Sequence, residues 1–436
     1  MSSVTEIAEA LEKTLSQARG WRFVAKSTES VDIGVDDSKL GGAYSPPRSS
    51  SEISGNVFIV WEDGRCSRGR VDSKILDRLP RELDLWRSLA YRDDDAAYIW
   101  DLESPADVKL FDPKVAGVVQ GDPTPAFEGI GRIVEAALDS GSMVVDARVC
   151  CSAGETVVAT SNGLWAKYSE TGAWCYWYLD KTLGDSRYGR TTGTWEALDE
   201  SVEWTARIVD AARIPASSNS GTMRVIMSPS VVDSFIGHYI AFNLSGENVA
   251  EGRSRYEVRQ FRGGEPALRD DMQVALDTAV PMGPGSYPCT VEGVASGRAD
   301  LIKDGRLVTP VLNLKYARRC NMQPTPLPSR GLSPGYAGML LRTENMGAAE
   351  SLLEECQDAL LVCSVLGMHT QDPVSGNFSL AAPEAIVVKG GEMLGSVKAV
   401  ISGNFFDALN SRQTRLSLDD QHPNPWMECL CHVEVG

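Results

Sequence analysis

Alternating apolar runs closed by tight turns constrain this chain more than any other feature. Trp21 to Ala25 and Val31 to Val35 place apolar residues at every second position, which is the period of a strand with one buried face. Val57 to Trp61 is apolar throughout and ends at Glu62-Asp63-Gly64-Arg65, where Asp-Gly is hairpin chemistry. Further strands are expected at 143–149, 155–160, 173–179, 223–227, 385–388 and 397–401, with Asn162-Gly163 marking another turn. Helical periodicity appears between them. Ser3 and Glu6 form a capping box ahead of an apolar stripe through Val4, Ile7, Ala8, Leu11 and Leu15. Other helices are expected at 74–89, 127–138, 195–212, 231–243 and 348–361. Hairpins interspersed with helices predict an α+β fold of mixed or antiparallel sheets with flanking helices, not a doubly wound parallel sheet.

A chain of 436 residues has room for two or three domains. Ala216 to Gly221 reads as a linker, which divides an N-terminal α+β region, 1–220, from a β-rich C-terminal domain, 221–436. A lesser break is expected near 117–125, where Pro, Gly and Asp concentrate. Gly41 to Ser54 reads as a mobile loop and Gln323 to Pro334 as a Pro-rich one. The 59 acidic residues outnumber the 42 basic ones, for a net charge of −17. Such a surface repels nucleic acid and anionic lipid, so neither is an expected partner. No apolar run approaches the roughly 18 residues of a membrane span, and the first residues lack a signal peptide's basic and apolar segments. A cytoplasmic address is expected. Ten scattered Cys fit reduced thiols rather than a disulfide framework.

The segment Gly367-Met-His-Thr-Gln-Asp-Pro-Val-Ser-Gly-Asn-Phe-Ser-Leu380 concentrates polar and conformationally special residues beside an apolar run. Two Gly supply unusual backbone angles and Pro fixes one turn, so the loop is rigid enough to present groups to something. His369 takes either a binding or a structural role there, and Asp372 and Ser375 either brace the turn or face a ligand. His238 shares a helical face with Val231, Phe235 and Phe242, as a partly buried core histidine or one at a junction or groove. No second ligand type stands at i+4 or i+5 from it to complete a metal-binding helix. Cys429 and Cys431 alternate on one face of a final strand, with His432 beside them; buried thiols are favoured there over a metal site. Trp174, Tyr176, Trp177 and Tyr178 make an aromatic strand with one core face and one free for a groove or interface.

Three blocks carry a family resemblance: Gly237-His238 with Leu244-Ser-Gly246 and Gly252-Arg-Ser254; Gly285-Ser-Tyr-Pro-Cys-Thr-Val-Glu-Gly293 with Leu301-Ile-Lys-Asp-Gly-Arg-Leu307; and the 367–380 loop with Gly390-Gly-Glu392 and Ser402-Gly-Asn-Phe-Phe-Asp407. Together they resemble the TldD/PmbA family, on its PmbA side. In that family a His-Glu-x-x-x-His helix and a Cys hold a catalytic metal. The resemblance puts Gly237 and Phe242 where the His ligands belong, His238 where the Glu belongs and His369 where the Cys belongs. It thus implies no metal and no catalytic residue in this chain, with zinc held by a TldD-like partner in a heterodimer. His238, His369, Asp372 and Ser375 become candidates for contact with a peptide substrate or that partner. The implied role is the non-metal subunit of a metallopeptidase complex acting on unfolded or modified peptides, leader-peptide removal among them. The alternatives are a self-sufficient metallopeptidase with a rewired site drawn from His238, His369, His422 and His432, or a non-catalytic scaffold that delivers substrate.

Overall fold

The computed structural model describes residues 3–36, 39–40, 47–196, 198–326 and 338–436. The fold is α+β with antiparallel and mixed sheets, as expected. Helix α1, Val4–Leu15, opens with the capping box intact: Ser3 Oγ accepts from the Glu6 amide, and the Glu6 carboxylate accepts from the Ser3 amide. The first sheet follows from strands β1 (Gly20–Asp36), β2 (Lys39–Leu40), β3 (Arg48–Val60), β4 (Arg65–Asp72), β5 (Tyr91–Arg92), β6 (Asp146–Thr160), β7 (Trp165–Tyr178) and β8 (Gly184–Gly189). Its order is β5-β4-β3-β1-β6-β7-β8, with β2 paired to β1. The Asp63-Gly64 turn joins β3 to β4.

Helices α1, α2 (Ile75–Ser88), α3 (Pro113–Val119), α4 (Thr124–Asp139) and α5 (Leu198–Ala212) cover one face of this sheet. Alternation accounts for it. Trp21, Phe23 and Ala25 pack on α1 and α2, while Ile33 and Val35 of the same strand pack on the α3–α5 layer. The segment 117–125 ends α3 and begins α4, and both helices lie on that one face.

Three expectations are corrected by pairing. The strands expected at 21–25 and 31–35 are one, and those at 143–149 and 155–160 are likewise one. The polar middles of these strands have no hydrophobic period, yet their backbone groups bond to neighbours on both sides. Residues 48–54, expected as loop, are strand paired to 26–32; residues 41–46 of that loop lie outside those described. The helix expected at 348–361 stops at Glu354, and Asp358–Val362 is a strand. A short, fully apolar run has the same look in a buried helix and a buried strand. Much of the Pro-rich loop, 327–334, also lies outside the described residues.

Beyond residue 220 come β9 (Gly221–Met227), β10 (Met272–Asp277), β11 (Arg298–Lys303), β12 (Arg306–Leu307), β13 (Met339–Thr343), β14 (Gly347–Ala348), β15 (Asp358–Val362), β16 (Asn377–Lys389), β17 (Glu392–Asn404), β18 (Arg415–Leu418) and β19 (Trp426–Val435). Strands β12-β11-β10-β13 form a small antiparallel sheet. In the other sheet β9 pairs with both β15 and β19, so β9, β15, β16, β17 and β19 close on themselves as a barrel. Each of the five sends side chains into one core with the helix at 229–244: Val225, Leu360, Leu380, Ile401 and Cys429 are examples. Ile226, Leu361 and Ile386 face outward against the α3–α5 layer. We propose residue 220 as the boundary between two structural parts, since the first sheet draws only on residues before it and the other two only on residues after it.

Candidate functional site

The 367–380 loop and the helix at 229–244 meet at one end of the barrel. The helix starts with Pro229 in its first turn, where the missing amide costs nothing. Ile236–Ile240 form a π turn, whose extra residue re-aims the side chains that follow. Three of those side chains reach three loop carbonyls. His238 Nε2 lies 3.0 Å from the Gln371 carbonyl, so this nitrogen carries the proton. Tyr239 donates its hydroxyl to the Asn377 carbonyl at 2.9 Å, and Asn243 donates Nδ2 to the Pro373 carbonyl at 2.7 Å. Asn243 is fully buried, and its Oδ1 accepts from the Arg255 amide at 2.8 Å. It therefore joins the helix, the loop and the turn at Gly252-Arg-Ser254.

The loop braces itself. Gly367 and Gly376 adopt φ of 97° and 81°, the left-handed region that a side chain opposes. A Cβ at Gly376 would also stand 2.4 Å from the Phe406 ring. Asp372 accepts from the Val374 and Ser375 amides at 3.1 and 3.3 Å. The Val374 amide, outweighing burial and aided by Ser375, holds the Asp372 carboxyl below the usual carboxylate range. Ser375 Oγ contacts the Asp372 carbonyl and the Asn377 amide, a turn former's contacts. Gln371 bonds the Gly367 carbonyl and both backbone groups of Ser379, and Asn404 donates to the Ser375 carbonyl. His369 is exposed on a single 3₁₀ turn, Met368–Thr370.

Two buried cations fasten the second sequence block to the first sheet. Arg22 of β1 reaches Glu292 at 3.0 Å, and the other Glu292 oxygen accepts from the Leu314 amide at 2.9 Å. Arg190 donates to the Gly283 and Ser286 carbonyls at 2.8 and 2.7 Å. Asn243, Gln371, Arg22 and Arg190 escaped the sequence reading. Each has a partner eight to 270 positions away, beyond any local pattern.

The four histidines are not brought together as a ligand set. His422 bonds Asp419 through Nδ1 and Asp185 through Nε2, and His432 is exposed on β19 near Glu434. Cys429 and Cys431 share one buried face with sulfurs 3.7 Å apart. Their mutual hydrogen bond and burial push the Cys429 thiol well above its ordinary value, away from the thiolate a metal needs. Trp177 is buried in the core, while Tyr176 and Tyr188 stack on Trp174 across the other face and Tyr178 meets Tyr176 edge-on.

Residues 220–425 match the family model described as the PmbA/TldA metallopeptidase C-terminal domain. The C-terminal half of this chain thus carries a PmbA/TldD-type domain. A metalloprotease PmbA of Escherichia coli O157:H7 is 24% identical over 424 residues, covering 92% of this chain and 89% of that one. An uncharacterized Methanocaldococcus jannaschii protein is 22% identical over 291 residues, covering 64% of this chain and 66%, just under two thirds, of that protein. The crystal structure of TldE from Thermococcus kodakarensis superposes with a TM-score of 0.80 at 17% identity, covering 99% of this chain and all of the other, a likeness of fold.

The helix at 229–244 of this PmbA/TldD-type domain does not fit a hydrolytic zinc. Gly237 has no side chain, Phe242 has no donor atom, and His238 gives its Nε2 proton to a carbonyl. Tetrahedral zinc needs three protein ligands and an open position. Among the described residues no group of three His, Cys, Asp or Glu is placed to hold a metal, and no helix is long and apolar enough to cross a membrane.

Proposed function

We propose that this chain is the non-metal, PmbA-type subunit of a heterodimeric metallopeptidase, paired with a TldD-like subunit that holds zinc. The pair acts on unfolded or modified peptides, leader-peptide removal among them. One observation carries this reading: the polar side chains of the helix are committed to the loop, and where the resemblance places the family's two His ligands it holds Gly237 and Phe242. The helix and loop then form a stiff wall to a chamber whose chemistry lies in the partner. His238, His369, Asp372 and Ser375 stand at that wall, His369 and Asp372 the more exposed. An extended peptide joins such a site by adding to a free strand edge.

Purified chain, dialysed against zinc and measured by elemental analysis, is expected to retain far less than one equivalent and to cleave no peptide. Mixed with a TldD-like subunit bearing an intact His-Glu-x-x-x-His helix, it is expected to co-elute on size exclusion and restore cleavage. Stoichiometric zinc in this chain alone, or peptide cleavage by it alone, overturns the reading.

A further inference from the structure

Helix α5, the outer face of the barrel and residues 419–426 enclose a cavity of about 340 Å³. Small-molecule sites run from roughly 300 to 1,000 Å³, so this one suits a group the size of one or two amino-acid residues. Its floor is ionic but internally balanced. Arg187 Nη1 lies 2.7 Å from Asp185, His422 bridges Asp185 and Asp419, and Trp426 Nε1 donates to Asp419 at 2.7 Å. Two acids thus meet two bases, and further bonds to Ser201 and Trp426 hold them in place.

The walls are mainly apolar. Trp204 and Trp426 meet edge to face with centroids 6.0 Å apart, and Leu183, Ile208, Ile226 and Leu352 add to them, with Ser228 and Ser230 as polar neighbours. The mouth carries the unbalanced charge. Glu200 and Glu203, both exposed, stand three apart on α5 and share their helical face with Trp204. Arg207 is the rim's cation and lies over the Trp204 ring at 5.2 Å. Two carboxylates therefore face one guanidinium at the entrance to an aromatic, apolar volume.

We propose that this cavity binds the amino-terminal residue of a peptide, its apolar side chain between Trp204 and Trp426 and its α-ammonium at Glu200 and Glu203. The choice of a peptide rests on the function proposed above, but the site needs neither metal nor partner. Its failure in the chain alone leaves the subunit assignment standing.

The test is calorimetric titration of the whole chain with leucyl-leucinamide and with its N-acetylated form. The free amine is expected to bind and the acetylated form to bind at least tenfold more weakly. In the E200Q/E203Q double variant, altered only at exposed positions, that preference is expected to vanish. Equal binding of the two peptides, a preference that survives in the double variant, or no binding of the amine at millimolar concentration overturns the proposal.

Discussion

Glu292 shows what a single residue does here. Its carboxylate is buried, meets Arg22 of the first sheet on one oxygen and receives the Leu314 amide on the other. Removing one member of a buried pair leaves the other charge uncompensated, at roughly 3–5 kcal/mol. Glu292→Gln is therefore expected to lower unfolding free energy by about 3 kcal/mol in urea titrations, well beyond a surface substitution. Gly376 is limited by shape instead. Positive φ and the nearby Phe406 ring both oppose a Cβ. Gly376→Ala is expected to cost about 1–3 kcal/mol, while Ala at exposed Asn377 changes little; thermal melts of the two variants compare them. The sequence marked Gly376 as one of the two Gly that supply unusual backbone angles to the polar loop. It marked Glu292 only through resemblance, since a partner 270 positions away leaves no local trace.

At the scale of elements, the helix at 229–244 and the 367–380 loop behave as one unit, stapled through His238, Tyr239 and Asn243. Asn243 is the central staple, and its loss leaves the Pro373 carbonyl and the Arg255 amide unpaired in a partly buried place. Each such group costs about 1–3 kcal/mol. Asn243→Ala is expected to speed amide exchange in 371–377 and 252–256 together, while exchange in the barrel strands stays slow. Acceleration confined to the helix would sever the proposed link. Both elements were legible as a helix and a rigid polar loop. Their mutual docking was not, because the π turn that aims His238 is a product of packing and has no composition of its own.

Across the whole molecule, one ionic network ties β8 to the chain before β19. Burial pushes the His422 imidazole down, but hydrogen bonds to Asp185 and Asp419 outweigh it and hold the pKa up to about 9, against 6.5 ordinarily. Arg187, 2.9 Å from Nε2, opposes this without reversing it. Burial raises Asp419 and its bond to His422 lowers it further, to about 2 from 3.8. A raised histidine stabilises fully below 6.5, and that stabilisation fades as pH rises to 9. A depressed carboxyl stabilises fully above 3.8, and that is lost as pH falls to 2. The network is therefore whole between about pH 4 and 6.5. Unfolding free energy is expected to fall by on the order of 1–3 kcal/mol from pH 6.5 to 9. His422→Gln is expected to flatten that slope, and an unchanged slope would remove His422 as its source.

The sequence by itself determined what depends on near neighbours. The α1 capping box, the Asp63-Gly64 hairpin, the self-braced 367–380 loop and the pairing of Cys429 with Cys431 on one face all rest on spacings of a few residues. Gly237 and Phe242 were marked only through the family resemblance, which places His ligands at those positions. Tertiary structure decided what depends on distant pairing. It merged the short runs into long strands, made 358–362 a strand of the barrel, and joined Arg22 to Glu292 and His422 to Asp185. Backbone hydrogen bonding and buried charge take no account of separation along the chain, so a local pattern cannot encode which distant partner completes them.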